Sequence, residues 1–141
     1  MTYMTVPSAR WSKTLLRAKA ISVRQPFAWL IIHGGKDVEN RTRRTSHRGD
    51  LLIHAGLSTD ILRDAAEMSR LSKKYGVKLP AEYDLGGIIG VAELAECVTE
   101  HTSIWRTDSE FGWVLRNPRS LTFRGCKGQL GLFTPSFQME H

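Results

Sequence analysis

Apolar residues fall in short bursts separated by glycine, proline and charge, and the spacing inside each burst predicts its element. "AISV" (20–23) reads as a short strand. In "RQPFAWLIIHGG" Pro26 suits a first helical turn, Phe27, Leu30 and Ile31 share one face, and Gly34 stops what is a helix of about two turns. "KDVENRT" alternates as a strand does, with Asp37, Glu39 and Arg41 on one side and Val38, Asn40 and Thr42 on the other. A basic loop with a glycine turn (43–49) leads to an apolar strand, "DLLIHAG" (50–56). The segment "STDILRDAAEMSRLSKKYG" predicts a helix capped by Ser58 or Thr59, with Asp60 in its first turn. Ile61, Ala65, Met68 and Leu71 recur at helical spacing, and Lys73 and Lys74 precede Gly76. Beyond a connector, "LGGIIGVAELAECV" (85–98) predicts a long strand bent at Gly90, and "FGWVLRNP" (111–118) and "KGQLGLFTP" (127–135) predict two more, each closed by proline. Six strands against two helices, with glycine punctuation, predict an α+β fold built on a small closed or nearly closed β-barrel with helices at its rim.

Residues 1–18 are polar and basic without periodicity, which predicts a weakly ordered extension before a single domain over 19–141; Met4 offers a second start. The chain has 141 residues, 41% of them hydrophobic and 24% charged, enough for one core without disulfides or metal. No apolar run approaches the roughly 20 residues that cross a bilayer, and the N-terminus lacks a secretory apolar stretch, so a cytoplasmic protein with no membrane partner is expected. Cys97 and Cys126 are far apart and read as reduced thiols. With no metal-spaced Cys or His set, no phosphate-binding Walker loop and no G-x-S-x-G elbow, neither a metal nor another cofactor is expected. Charge adds a direction. Residues 1–50 hold ten Lys or Arg against three Asp or Glu, whereas residues 51–141 hold ten against eleven. A basic field so localised suits either a polyanionic partner, nucleic acid ahead of membrane, or a solubilising tail.

Three stretches then narrow the picture. "ISVRQPFAWLI", "GGKDVENR" with G-x-K-x-x-E-x-R on Gly34, Lys36, Glu39 and Arg41, and "RGDLLIHA" resemble the N-terminal half of the ASCH domain family. "GGIIGVAELAECV", "GWVLRNPRSL" and "KGQLGLF" follow in the family's order, so the resemblance covers residues 20–134. It implies a PUA-like barrel of about six strands with two or three helices, and a cleft where the G-x-K-x-x-E-x-R strand meets the loop and helix after the first strand. It also implies an RNA or nucleotide/nucleoside partner. Some members are similar to metal-independent ribonucleases, others to small amidohydrolases of N4-acylated cytidine-type nucleosides.

Lys36, Glu39, Arg41 and His54 are the candidate catalytic residues. Lys36 projects from a glycine turn as a point charge for phosphate or, if desolvated, as a base. Glu39 and Arg41 share a face, so Arg41 orients Glu39 or clamps a phosphate; equally, the three form an exposed ion ladder worth little. His54 faces either the cleft or a buried backbone partner. Arg24 and Gln25 enter the first helix where an anion is favoured. Trp29 stacks a base, for roughly 1–3 kcal/mol, or packs in the core, as Trp105 and Trp113 are expected to do. Arg43, Arg44, His47 and Arg48 make the loop that would meet phosphates. The amidohydrolase-like relatives use a lysine, a threonine three positions later and a distant glutamate; Glu39 stands where the threonine would be. Thr42 or Ser109 would have to supply the hydroxyl, and Glu93 or Glu110 the second carboxylate. A non-catalytic module for a modified base or nucleotide is the third reading.

Overall fold

The apolar bursts assemble into one five-stranded sheet in the computed structural model, which describes residues 5–137. The strands are β1 (Lys19–Val23), β2 (Val38–Arg41), β3 (Gly49–Ala55), β4 (Gly87–Val98) and β5 (Phe111–Gly125), in the spatial order β1-β3-β4-β5-β2. β1 runs parallel to β3 and every other pairing is antiparallel. Three helices, α1 (Lys13–Leu16), α2 (Phe27–His33) and α3 (Ala65–Tyr75), accompany a sheet that curls into a half-barrel, an α+β fold of the PUA-like kind. No helix among the described residues is long and apolar enough to cross a membrane.

The inner face of the curl holds Ile21, Val23, Leu51, Ile53 and Ala55, covered by Ala28, Ile31 and Ile32 of α2. The outer face is buried as well. There Ala20, Leu52, Ile88, Val91 and Leu121 lie beneath Leu15 and Phe133. A strand covered on both faces reads as a continuous apolar run, which is why "DLLIHA" shows almost no alternation. At Gly90 the approach of neighbours is close: a Cβ there would stand 2.6 Å from both the Arg119 carbonyl and Ile32 Cδ1. The register of β4 against β5 shifts on its flank, so the bend expected at this glycine is present.

Four expectations are corrected. Residues 7–18 are not weakly ordered: Pro7 and Ala9 exchange backbone hydrogen bonds with Ser120, Trp11 Nε1 donates to the Thr122 carbonyl, and Leu15 is buried. Residues 1–4, Met4 among them, lie outside the described residues. The expected last strand (127–135) makes only the isolated bridge of Phe133 with Ala20, and serves as a strap over the outer face. β5 does not close at Pro118. Asn117, at φ 56°, and Pro118 bulge opposite Ala92, where the missing N–H is tolerated, and the strand continues to Gly125. α3 begins later than its apolar spacing suggests. Ser58 accepts only from Asp60 N–H, at 3.4 Å, whereas Asp64 accepts from Glu67 N–H at 3.0 Å and is the N-cap.

The outer-face packing gives a test. Leu15→Ala is expected to lower stability by about 2 kcal/mol or more, as buried leucine truncations do, in urea unfolding. An unchanged midpoint would mean that the N-terminal segment is not packed on the sheet.

Candidate functional site

β2 owes its place to its alternation. Val38 is fully buried beside Leu30 and Trp105, and this turns Glu39 and Arg41 to the other face. Lys36 precedes the strand and folds inward. It is only 6% exposed, its Nζ donates to the Val38 carbonyl at 2.6 Å, and it lies 3.8 Å from Glu39 Oε1. The rings of Phe27 and Trp105 stand 5.8 and 5.5 Å from the same Nζ. Burial pushes the Lys36 pKa down from its ordinary value; the carboxylates of Glu39 and Asp37 oppose that shift and Arg41 adds to it.

Glu39 is tied on its other side. Arg41 donates to Glu39 Oε2 from Nε at 3.2 Å and from Nη2 at 2.9 Å, and Nη2 also donates to the Ser22 carbonyl at 3.0 Å. Ser22 is on β1 and Arg41 on β2, the two outer strands of the sheet, so this guanidinium spans the gap that the backbone leaves open.

Around these residues lies an open cleft of about 600 Å³. Its cations are Arg24, Lys36, Arg41, Arg70 and Lys74, and Glu39 is the one carboxylate among its described lining residues. Tyr75 and Trp105 form one wall, stacked with ring centroids 3.6 Å apart and planes 12° from parallel. The loop carrying Trp105 is docked on β2. Asn40 Nδ2 donates to the Trp105 carbonyl at 2.9 Å, and the Ser103 hydroxyl donates to Asp37. Arg106 fixes the rest of that loop, donating to Asn40 Oδ1, to the Ser109 hydroxyl and to the carbonyls of Thr99, Thr107 and Ser109.

Of the residues singled out from sequence, Arg24, Lys36, Glu39 and Arg41 meet in the cleft. His54 does not. It is 2% exposed on the outer face, under the 127–135 strap, with its ring edge-on to Phe133. The Cys126 carbonyl can only accept, so His54 Nε2 carries the proton of that 2.8 Å bond, and in the neutral ring Nδ1 accepts from the Ser22 hydroxyl at 2.9 Å. Gly128 is what lets the strap lie so close, since a Cβ there would be 2.8 Å from His54 Cε1. Gln25 is buried and structural: its Oε1 accepts from Trp29 N–H at 2.8 Å and its Nε2 donates to the Asp84 carbonyl at 3.1 Å. Trp29 packs beside Leu30, Val38 and His33, away from the cleft. Arg43, Arg44 and Arg48 are exposed, as expected of a loop, while His47 Nε2 donates to the Asp50 carbonyl.

The hydrolase alternatives fare unevenly. Thr42 lines the cleft, but Ser109 is engaged with Arg106 and the Phe111 carbonyl, and neither Glu93 nor Glu110 lines it. Arg70, Lys74, Tyr75 and Trp105 were missed. The one local hint is "SKKYG", two lysines and a tyrosine before a helix-ending glycine.

The model of the ASCH domain family matches residues 21–123, most of the chain and all of the cleft's strands. The chain belongs to the ASCH domain family. Among its relatives is the human activating signal cointegrator 1, 29% identical over an alignment of 114 residues that covers 74% of this chain and 20% of that protein. The mouse protein of the same name is 28% identical over the same shares. The chain thus spans about a fifth of the length of these relatives. The family match stops before the strap over His54, so cleft and strap differ in how far the family pattern reaches them.

The buried lysine gives this ASCH domain a pH signature. A folded pKa below the ordinary 10.5 means the unfolded chain holds that proton more tightly, so the group's contribution to stability rises with pH until 10.5 is passed. Wild type measured against Lys36→Met is therefore expected to gain stability as the pH rises toward 10.5, in urea titrations at each pH. A difference that stays flat would show that Lys36 is not desolvated.

Proposed function

We propose that this ASCH domain binds single-stranded RNA or a nucleotide through the cleft, without chemistry of its own. One observation carries the reading: five cations surround the cleft and its single carboxylate is already held by Arg41. Arg24 and Lys74, both exposed, offer the mouth of the cleft to a phosphate, and charge-assisted contacts of this kind dominate affinity for nucleic acid. The ASCH family's association with RNA binding supports the same partner. The site works as a binder because the other requirements of cleavage are not met together. Metal-free hydrolysis of RNA needs a base at the 2′-hydroxyl and an acid at the leaving oxygen. His54 is behind the sheet, and Glu39 Oε2 is taken up by two donors of Arg41. Among the described residues no group of three His, Cys, Asp or Glu is arranged to hold a metal ion.

A second reading, metal-independent cleavage of single-stranded RNA, draws on the lowered pKa of Lys36, which brings a buried amine toward the range of a general base. The amidohydrolase reading has less behind it, because the cleft offers no second carboxylate.

Labelled single-stranded RNA incubated with the protein in EDTA separates these readings. The expected result is intact RNA, bound with an affinity that falls steeply with salt. The double variant Arg24→Ala/Lys74→Ala is expected to bind at least tenfold more weakly, with a log–log salt slope shallower by about 0.7 for each phosphate contact removed. Cleavage abolished by Lys36→Ala would establish the second reading, and no binding at low salt would sink both.

A further inference from the structure

The cleft does not end at Arg41. Arg41 and Thr42 also line a neighbouring pocket of about 440 Å³, whose other walls include Arg43, Arg44, Leu130 and Leu132. We propose that this pocket is a second nucleotide subsite, so that the ASCH domain takes a single strand of at least two nucleotides with the linking phosphodiester at Arg41. The proposal rests on the nucleotide reading of the cleft and extends it.

Three features support that occupant. First, Arg41 stands at the junction with donors to offer: Nε and Nη2 are taken up by Glu39 and Ser22, and no acceptor among the described residues takes Nη1. Second, the pocket pairs opposite chemistries, as a base followed by its phosphate requires. Leu130, fully exposed, and the exposed residues Arg43 and Arg44 line the same pocket. A lone exposed leucine needs no explanation, but one that walls a pocket with two arginines does. Third, the arginine stretch is held in place. Trp113 Nε1 donates to the Arg43 carbonyl at 3.0 Å, and the Arg44 guanidinium lies 5.5 Å from the centroid of the Phe111 ring. The volume falls within the ordinary range for a small-ligand pocket. Neither this pocket nor the strap residues that wall it fall out of the G-x-K-x-x-E-x-R pattern, which ends at Arg41.

The test compares uridine 5′-monophosphate with the 5′-phosphorylated dinucleotide pUpU, binding each to wild type and to Leu130→Asp by calorimetry at low salt. Wild type is expected to bind pUpU about tenfold more tightly than the monophosphate, the gain of one further nucleotide's contacts. Leu130→Asp, at a fully exposed position, is expected to lose most of that gain and leave the monophosphate unchanged. Equal affinities in wild type, or a gain that survives Leu130→Asp, would overturn the second subsite while leaving the cleft intact. Binding of neither probe would overturn the cleft reading and the subsite with it.

Discussion

A single guanidinium closes the curl of this sheet. β1 and β2 are its two outer strands, with no backbone ladder between them, and Arg41 reaches from one to the Ser22 carbonyl of the other while gripping Glu39 in its own strand. Hydrogen bonds to charged groups contribute about 1.5–3 kcal/mol each when their partners would otherwise be stranded. An open edge also presents unpaired N–H and C=O groups, and a side chain that occupies one of them protects the edge as it fixes the curvature. Lysine has one ammonium where this position needs a planar fork with two separate destinations.

The electrostatics of the cleft follow from that closure. Five cations gathered in one concavity repel one another, and Glu39 offsets the two deepest, Lys36 and Arg41. Arg70 at the rim is partly satisfied by Glu67 on its own helix. What remains positive is the mouth, where Arg24 and Lys74 are in water. The side walls come from elsewhere in the chain: Asp37 and Asn40 dock the loop that carries Trp105, and Trp105 stacks on Tyr75 at the end of α3. One short strand therefore supplies the floor, the seam and the anchor for a wall.

Such economy explains which parts were legible in the sequence. Gly34, Lys36, Glu39 and Arg41 lie within eight positions, so their convergence is a matter of local alternation and turn chemistry. Arg70, Lys74, Tyr75 and Trp105 reach the cleft only through tertiary docking, and an exposed lysine on a helix carries no local mark of what it faces. The fold shows the same division. β1, α2, β2 and β3 follow from apolar spacing, because each is short and bounded by glycine, proline or charge. The errors gather on the outer face. His54 does point away from Leu51, Ile53 and Ala55, as alternation requires, but that side is covered by the 127–135 strap, whose apolar residues read as another strand. The N-terminal segment, polar enough to read as an extension, covers the same face with little more than Trp11 and Leu15.

The N-terminal segment and the 127–135 strap thus cover one face of the sheet, and the cleft lies at the seam, where Ser22, Glu39 and Arg41 line it. This bears on Glu39, the residue that departs from the hydrolase-like pattern. Its Oε2 accepts both Arg41 bonds, while Oε1 stands 3.8 Å from Lys36 Nζ. A proton placed on the carboxylate would weaken its hold on Arg41 and leave Lys36 buried without its nearest counter-charge. Carrying protons would therefore loosen the element that shapes the cleft. Accepting a hydrogen bond at Oε1 would not, so under the proposed nucleotide reading a sugar hydroxyl or a base-edge N–H would meet this carboxylate at no expense to the seam.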